Sequence, residues 1–373
     1  MAFKSVTKIN KMVTKRSAGT IGYLCEVNSA EKPAIRDLSR EELEQFFVEQ
    51  GAPAFRGRQV HAWLWKKHAH SFAEMSDLPS ATRDMLESAF SLNHLSVDLL
   101  QKSSDGTVKV RFRLYDGNLV EGVLIPTDTR LTACISSQVG CNLGCKFCAT
   151  GFMKNKRNLQ PYEIYDQVAA INKISLEDFG KPLSNIVYMG MGEPLLNYSN
   201  VLRSVEMITS PDGMGMSPKR ITVSTAGIAK MIRKLGDDGV KFNLALSLHA
   251  PDDAKRSALM PINDSNDLQT LVQALNYFYD KTKGRITFEY ILFDGINETE
   301  QDAKNLTRLC RQVPGARVNI IEYNPIREAD YTRSREEQRE RFIQFLEAQK
   351  VVAKVRRSRG KDIDAACGQL ANK

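Results

Sequence analysis

No stretch of this chain of 373 residues approaches the roughly 18 consecutive apolar residues that a membrane-spanning helix needs. The opening segment, MAFKSVTKINKMVTKRSAG, is basic but lacks the continuous apolar core of a secretory signal. Residues 1–35 are therefore expected to form a basic N-terminal arm, with a transit peptide left open on composition alone. Repeats of solenoid period and low-complexity segments are also missing, which sets aside stacked-repeat and linker architectures. Cysteine is sparse and uneven. There are seven, an odd number, and Cys141, Cys145 and Cys148 crowd into eight residues. That distribution does not suit the evenly spread disulfide framework of a small secreted domain. It points to a reducing, cytoplasmic setting without a membrane, where cysteines serve metal binding or catalysis.

What the chain does contain is ordinary for a globular protein, with 42% hydrophobic and 26% charged residues. Its length suits one large domain and a smaller one. The formal net charge of +8 favours a polyanionic partner, because cationic surface speeds association and supplies phosphate contacts.

From Leu38 to about Phe90 the apolar spacing is helical. Ser39 before REELEQFF reads as an N-cap followed by an acidic first turn. Residues 36–92 are expected to be a helical accessory domain. Trp63 and Trp65, in QVHAWLWKK, serve either as its core or as stacking platforms for bases. Over 95–126 the period changes to two. VKVRFRLYDG alternates Val108, Val110, Phe112 and Leu114 with polar partners, Asp116-Gly117 supplies a turn, and LVEGVLI returns. Residues 93–130 are thus expected to be a β-hairpin extension.

From 131 onward short apolar runs alternate with helical stretches. The runs are LTACIS, NIVYMG, RITVST, FNLALSLH, ITFEYILF and RVNIIEY, with helices expected over 161–175, 199–209, 227–235, 265–280 and 300–313. Six alternations predict an α/β fold with a parallel sheet curled into a partial (β/α)6 barrel over 131–350, since a full barrel needs eight units. A helix over 335–348 precedes VVAKVRRS, and residues 351–373 are expected to be a C-terminal strand and tail.

CNLGCKFC places Cys141, Cys145 and Cys148 with three and then two residues between them, after a predicted strand. Three thiolates at that spacing reach three corners of a four-iron cubane and leave the fourth iron open for a chelating cofactor. The other reading is zinc with Cys134 as fourth ligand, although zinc sites more often join two distant cysteine pairs. Downstream, YMGMGEPLLN follows the next strand. There Gly192 lets backbone approach a ligand and Glu193 can accept from an ammonium group. Ser224 in TVSTAG, Ser247, Leu248 and His249 in SLHA, and Asn324 in EYNP all fall at predicted strand C-termini, the face that carries the site in barrels. His249 alone is equally well read as an ordinary polar residue at a strand end.

The cysteine motif, with an aromatic before its last cysteine, resembles the signature of radical S-adenosylmethionine enzymes. YMGMGEPLLN is similar to that superfamily's Gly-Gly-Glu-Pro motif. Residues 36–370 resemble the RlmN/Cfr family of adenine methyltransferases through CISSQVGCNLGCKFCATG, NIVYMGMGEPLLNY, SLHAPDDAKRSALMPIN and SRGKDIDAACGQL. The extended helical N-terminal portion favours the RlmN branch. The resemblance implies a [4Fe-4S] cluster on Cys141, Cys145 and Cys148, and S-adenosylmethionine used twice per turnover. The cofactor would be held by Gly192, Glu193, Ser224, Ser247, Leu248, His249 and Asn324. It further implies methylation of adenine carbon 2 in 23S ribosomal RNA and a subset of transfer RNAs. An electron donor such as flavodoxin would serve it, and the helical accessory domain would bind RNA.

Three further residues acquire expected roles from the same resemblance. Cys367, in DIDAACGQL, would carry the methyl group as an S-methylcysteine, and the neighbouring RRSRGK favours a thiolate and phosphate contacts. Read without the family, it is an inert small hydrophobe in a tail. Cys134 would resolve the intermediate through a transient disulfide with Cys367, or else simply packs in the core. Glu121, in NLVEGVLIP, would accept the proton from carbon 2. Alternation sets it on the apolar face of Leu119, Val123 and Ile125, where a carboxylate is costly unless protonated, paired or functional. A half-exposed edge position is its plain alternative. The basic tail around Arg356, Arg357 and Arg359 is expected to touch RNA phosphates. Cys25 and Cys310 match no motif. Two rival functions stand beside this one: carbon-8 methylation of the same ribosomal adenine, and a zinc-organised RNA-binding module without catalysis.

Overall fold

The computed structural model describes residues 32–372. The expected basic arm up to residue 31, Cys25 within it, and Lys373 lie outside the described residues. The described residues divide into two compact units, one built from residues 32–94 with 212–214, the other from 95–211 with 215–372.

The first unit holds helices α1 (Arg40–Glu49), α2 (Phe55–Trp65) and α3 (Ser80–Ala89). Ser39 caps α1 in a reciprocal capping box with Glu42, as the sequence suggested. Leu43, Phe46, Phe47, Val60, Leu64 and Trp65 are buried in this unit, and Phe46 meets Phe90 edge-on at 4.9 Å. The two tryptophans part company. Trp65 belongs to the core, whereas Trp63 donates from Nε1 to Asp77 and carries Lys67 Nζ over its ring at 3.6 Å.

The second unit begins with strands β1 (Ser96–Lys102), β2 (Val108–Arg113), β3 (Leu119–Thr127) and β4 (Arg130–Cys134). These form an antiparallel meander in which Val123 faces Cys134. The expected hairpin extension is thus not an appendage but the first part of one continuous ten-stranded sheet. A short pair follows, β5 (Gln138–Val139) with β6 (Arg157–Asn158). The helix–strand alternation then runs α4 (Pro161–Phe179), β7 (Asn185–Tyr188), α5 (Tyr198–Thr209), β8 (Ile221–Thr225), α6 (Ala229–Asp237), β9 (Asn243–Ser247), α7 (Asp253–Leu259), α8 (Leu268–Thr282), β10 (Ile286–Leu292), α9 (Glu300–Gln312), β11 (Arg317–Glu322), α10 (Glu336–Ala348) and β12 (Ala353–Arg356). From β4 through β7 to β12 every neighbouring pair is parallel. This is the six-unit α/β partial barrel expected from the alternation, with β12 as an added strand. Residues of β3 and of β12 line one common cavity, which shows that the sheet curls.

Helix starts follow local chemistry. Gln160 and Glu163 close a capping box ahead of Pro161, and Thr299 and Asp302 do the same for α9. Helix α4 runs four residues past the expected 175, to a left-handed Gly180 cap. Helix α7 was not anticipated. It is only seven residues long and polar, so it leaves little apolar period to read, yet Asp252 caps it through Lys255 N–H.

Gly57 is where α1 and α2 come closest. A Cβ there would stand 2.4 Å from the backbone N of Glu44. Gly57→Ala is expected to destabilise the helical unit by about 1–3 kcal/mol, the usual cost of overpacking. The chain's two tryptophans, Trp63 and Trp65, both lie in this unit, so urea unfolding followed by tryptophan fluorescence reports it directly.

Candidate active site

At the C-terminal ends of the parallel strands lies a cavity lined by Cys141, Cys145 and Cys148 together with Cys134 and Cys367. The three motif cysteines sit in the loop after β5. That loop is tied to its surroundings by backbone hydrogen bonds: Cys141 N–H to Met153 O at 3.1 Å, Lys146 N–H to Leu259 O at 3.0 Å, and Ala149 N–H to Gly368 O at 2.7 Å. Behind it Phe147, Leu259, Met260, Ile291 and Phe293 form an apolar cluster against which Leu143, Cys145 and Cys148 pack. Burial pushes all three thiols up, that of Cys141 to about 11. Among the described residues no group of three or more His, Cys, Asp or Glu side chains is placed to hold a single metal ion. Lone zinc needs such convergence, whereas a cubane spreads its thiolate ligands around itself. A cationic iron cluster would also relieve the cost of thiolates in so dry a pocket.

Glu193 faces the three cysteines from the turn after β7. Its carboxylate is buried, and its Oε1 and Oε2 accept from Leu195 N–H at 3.0 Å and Ala226 N–H at 2.8 Å. No cation pairs with it among the described residues, and burial raises its pKa. A buried, cation-free carboxylate on a cavity wall fits the ammonium group of an amino-acid cofactor. Gly192 lines the cavity as expected of a residue near a ligand, and it has a second reason to be glycine: its φ is +94°, and a Cβ would stand 2.4 Å from Gln138 Cβ. Gln138 Oε1 in turn accepts from Glu193 N–H at 2.8 Å.

Ser224 and Ser247 end β8 and β9 side by side, their hydroxyls 3.5 Å apart on the cavity wall. His249 adopts a left-handed φ of +56°, uncommon outside glycine. It is held there by Asn297 Nδ2 donating to its carbonyl at 2.6 Å and by Ile291 N–H donating to Nδ1 at 3.1 Å, while its ring meets Phe147 edge-on at 4.8 Å. Burial lowers its pKa to about 3, so the ring is neutral. Leu248 and Asn324, two of the expected cofactor contacts, do not line the cavity. Leu248 turns into the core and gives its carbonyl to Arg256, and Asn324 Nδ2 donates to Cys367 O at 3.3 Å.

Arg256 was missed by sequence reasoning. Fully buried on α7, it donates to the carbonyls of Ala226 at 2.5 Å, Ser247 at 3.2 Å and Leu248 at 3.2 Å, and to Asn263 Oδ1 at 2.7 Å. It thereby ties together the ends of two strands beside the cavity. The string SLHAPDDAKRSALMPIN held the residue but gave no sign that an arginine within it turns inward.

The tail carrying Cys367 folds back over the meander. Cys367 is exposed by area, but that surface faces the cavity, and enclosure by protein still pushes its thiol up while Arg356 pulls it down. Burial pushes the Cys134 thiol up to about 12, again against Arg356. Arg356, expected on the basic tail, is the last residue of β12. As part of β12 it points inward, with Nη1 3.5 Å from Glu289 Oε2 and 3.2 Å from Met189 Sδ.

Glu121 also departs from expectation. It has no exposed surface, which removes the half-exposed alternative, and it is absent from the cavity wall. Its Oε1 lies 3.7 Å from Lys109 Nζ, and its Oε2 accepts from the backbone N–H groups of Ala371 at 2.9 Å and Asn372 at 3.0 Å. The returning tail covers β3, and the carboxylate that looked stranded on an apolar face is the tail's anchor.

The fold and this cavity define a radical S-adenosylmethionine enzyme. The superfamily model of that name matches residues 135–307, and the model of the ribosomal RNA large subunit methyltransferase N-terminal domain matches residues 34–92. A relative from Cytophaga hutchinsonii, described as a probable dual-specificity RNA methyltransferase RlmN, is 56% identical over 94% of this chain and 97% of its own. One from Flavobacterium psychrophilum with the same description is 55% identical over 92% and 99%. The crystal structure of a radical SAM methyltransferase from Sphaerobacter thermophilus superposes with a TM-score of 0.86 at 40% identity, covering 91% of this chain and all of that one. The chain belongs to the RlmN family of radical S-adenosylmethionine methyltransferases. That family implies a [4Fe-4S] cluster and S-adenosylmethionine, which the three cysteines and Glu193 fit.

If Glu121 anchors the tail, removing its acceptor must loosen residues 368–372. In the double variant Lys109→Met/Glu121→Leu, which avoids stranding the lysine, amide hydrogen exchange of Ala371 and Asn372 is expected to quicken by about tenfold or more, the worth of a charged hydrogen bond. Glu121→Gln keeps an acceptor oxygen and should change exchange far less. Mass spectrometry of the C-terminal peptide reads both.

Proposed function

We propose that this enzyme methylates carbon 2 of adenine in RNA, with large-subunit ribosomal RNA and transfer RNA as substrates, through a methyl group carried on Cys367. The observation that carries the reading is the sharing of one cavity by the three motif cysteines and the two lone ones, Cys134 and Cys367. Carbon 2 is an electron-poor ring carbon and no nucleophile, so displacement at a sulfonium cannot deliver a methyl group there. When bound, the cluster supplies the electron that makes S-adenosylmethionine a source of radical chemistry.

The chain's own residues divide the remaining work. Glu193 orients the cofactor's amino group, and Ser224 and Ser247 offer hydroxyls beside it. Cys367 attacks the methyl of a first S-adenosylmethionine, forming a sulfur–carbon bond, losing its thiol proton and releasing S-adenosylhomocysteine. Once a methylene bridge joins the Cys367 sulfur to carbon 2, Cys134, giving up its thiol proton, would attack that sulfur. The carbon–sulfur bond breaks with its electron pair passing to the bridging carbon, which takes a proton and becomes the methyl group, and the disulfide left between the two cysteines is reopened by an external dithiol reductant. Arg356 beside both sulfurs favours their thiolates. Glu121 takes the proton from carbon 2 once the tail has released its carboxylate. Arg256 is a positioning residue that fixes the strand ends carrying Ser247 and Ala226.

This division makes Cys134→Ala diagnostic. The variant is expected to complete the early steps and accumulate a protein–RNA species that survives denaturation, with released product reduced at least about a hundredfold, as loss of a covalent-catalysis partner commonly gives. Cys367→Ala should form no adduct, and the double variant should match it. Denaturing gels of labelled RNA after anaerobic reaction provide the measurement, and nucleoside mass spectrometry distinguishes carbon 2 from carbon 8. Methylated free RNA from Cys134→Ala at the native rate would exclude the two-cysteine route.

A further inference from the structure

A second cavity opens at the other end of the barrel, where the parallel strands begin. Barrel interiors are normally filled there by layers of branched apolar side chains. Here the wall includes Thr132 of β4 and Thr222, Asn243, Thr287 and Asn319 from the four successive strands β8 to β11, while β7 between them contributes Val187. Such a wall holds water and offers hydrogen bonds.

The rim is cationic. Arg130 opens β4, Arg285 precedes β10, Arg317 opens β11, Lys354 lies on β12, and Arg357 and Arg359 follow it. Among the described residues none of these six side chains makes a hydrogen bond or an ion pair. Other arginines of the same unit do: Arg157 bridges Asp116 and Glu163, and Arg339 bridges Glu322 and Glu336. The one carboxylate on the wall, Glu289, is already engaged by Asn319 and Arg356. Six like charges gathered without counter-charges repel one another, and that cost is offset only when an anion enters among them. The cavity is continuous in its lining with the reaction cavity, for Ile125, Met189, Glu289 and Arg356 belong to both walls.

We infer that the RNA substrate approaches from this N-terminal mouth. Phosphates of an unpaired strand rest on the arginines of the rim, and the target adenine passes inward along the polar wall to Arg356 and the two lone cysteines. The inference rests on the reading that the substrate is RNA. It adds the surface that binds the backbone and the direction from which the base arrives, at the end opposite the cluster loop. Base extrusion suits an unpaired segment, where little stacking has to be given up.

The test neutralises the rim without reversing it. Arg285→Gln/Arg317→Gln is compared with Lys173→Gln/Lys304→Gln, which removes two lysines that pair with glutamates on outer helices. Binding of a short single-stranded RNA containing adenine is followed by fluorescence anisotropy of the full chain over a salt series, after thermal melts confirm that each variant is folded. Loss of two phosphate contacts is expected to weaken binding about tenfold and to lower the salt slope by about 1.4, or 0.7 per contact on a single strand. The outer-helix variant should retain native affinity and slope. The S-adenosylmethionine-dependent mass increase on Cys367, which needs no RNA, should survive in both. Native RNA binding by the rim variant overturns the inference, and so does equal weakening by both variants, which would reduce the effect to bulk charge. Failure of the unaltered protein to bind or modify RNA would instead remove the reading on which the inference stands, and the two failures are distinguished by that control.

Discussion

For the Cys367 thiol to face the cavity, the irregular tail that bears it must be held in place, and the buried carboxylate of Glu121 does that here. One of its oxygens receives two consecutive backbone N–H groups of the tail, and Lys109 at 3.7 Å offsets the charge. Hydrogen bonds to a charged group contribute about 1.5–3 kcal/mol each, enough to hold a segment with no regular secondary structure. The hold extends in both directions. Thr150 donates to Leu370 O at 2.6 Å and Ala149 N–H to Gly368 O at 2.7 Å, which joins the tail to the motif-cysteine loop. Upstream, Ser103 donates to Asp362 at 2.6 Å and Gly360 N–H to Asp105 at 3.0 Å. The segment bearing Cys367 is therefore gripped at each end by the antiparallel meander and in its middle by the cysteine loop. The meander exists in this fold as much to seat the tail as to extend the sheet.

Arg256 performs the matching task on the other side of the cavity. A buried guanidinium usually meets a carboxylate, but this one meets three carbonyls and an amide oxygen. Burial accordingly lowers its pKa, to about 10, which still leaves it charged at neutral pH. Its donors point along diverging directions, so the strand ends they bind can move neither apart nor along one another. The left-handed backbone of His249, costly by itself, is tolerated because Asn297 bonds both His249 O and Ile291 O.

Features built from neighbours in sequence were legible in advance. The alternation of six apolar runs predicted the parallel strands, Ser39 announced its helix, and three cysteines in eight residues announced a loop that lines the cavity. Beyond the short polar helix α7, what stayed hidden involves partners far apart in the chain. How Glu121 is paired could not be read because its partners lie 250 and 251 positions away. Arg356 looked like part of a basic tail because its own neighbours are basic, whereas strand alternation turns it inward while Arg357 stays exposed. Arg256 and Asn297 carry no local mark at all. Their value lies in closing gaps between elements, and the lengths of those gaps are set only once the barrel has formed.

The two ends of the barrel solve opposing problems in one fold. The end that holds the motif cysteines is backed by the apolar cluster of Phe147, Leu259, Met260 and Phe293, which keeps that side of the cavity dry. The other end is polar and cationic, suited to a substrate that is a polyanion. Arg356 stands where the two meet and is the one cation on both walls. Its charge is part-neutralised by Glu289, so it lowers the cost of ionising Cys134 and Cys367 without removing it. Burial wins: Cys134 stays near 12, far above neutral pH, and at rest it is a thiol rather than a thiolate. In the two-cysteine route we propose, attack by Cys134 therefore has to be coupled to loss of its proton.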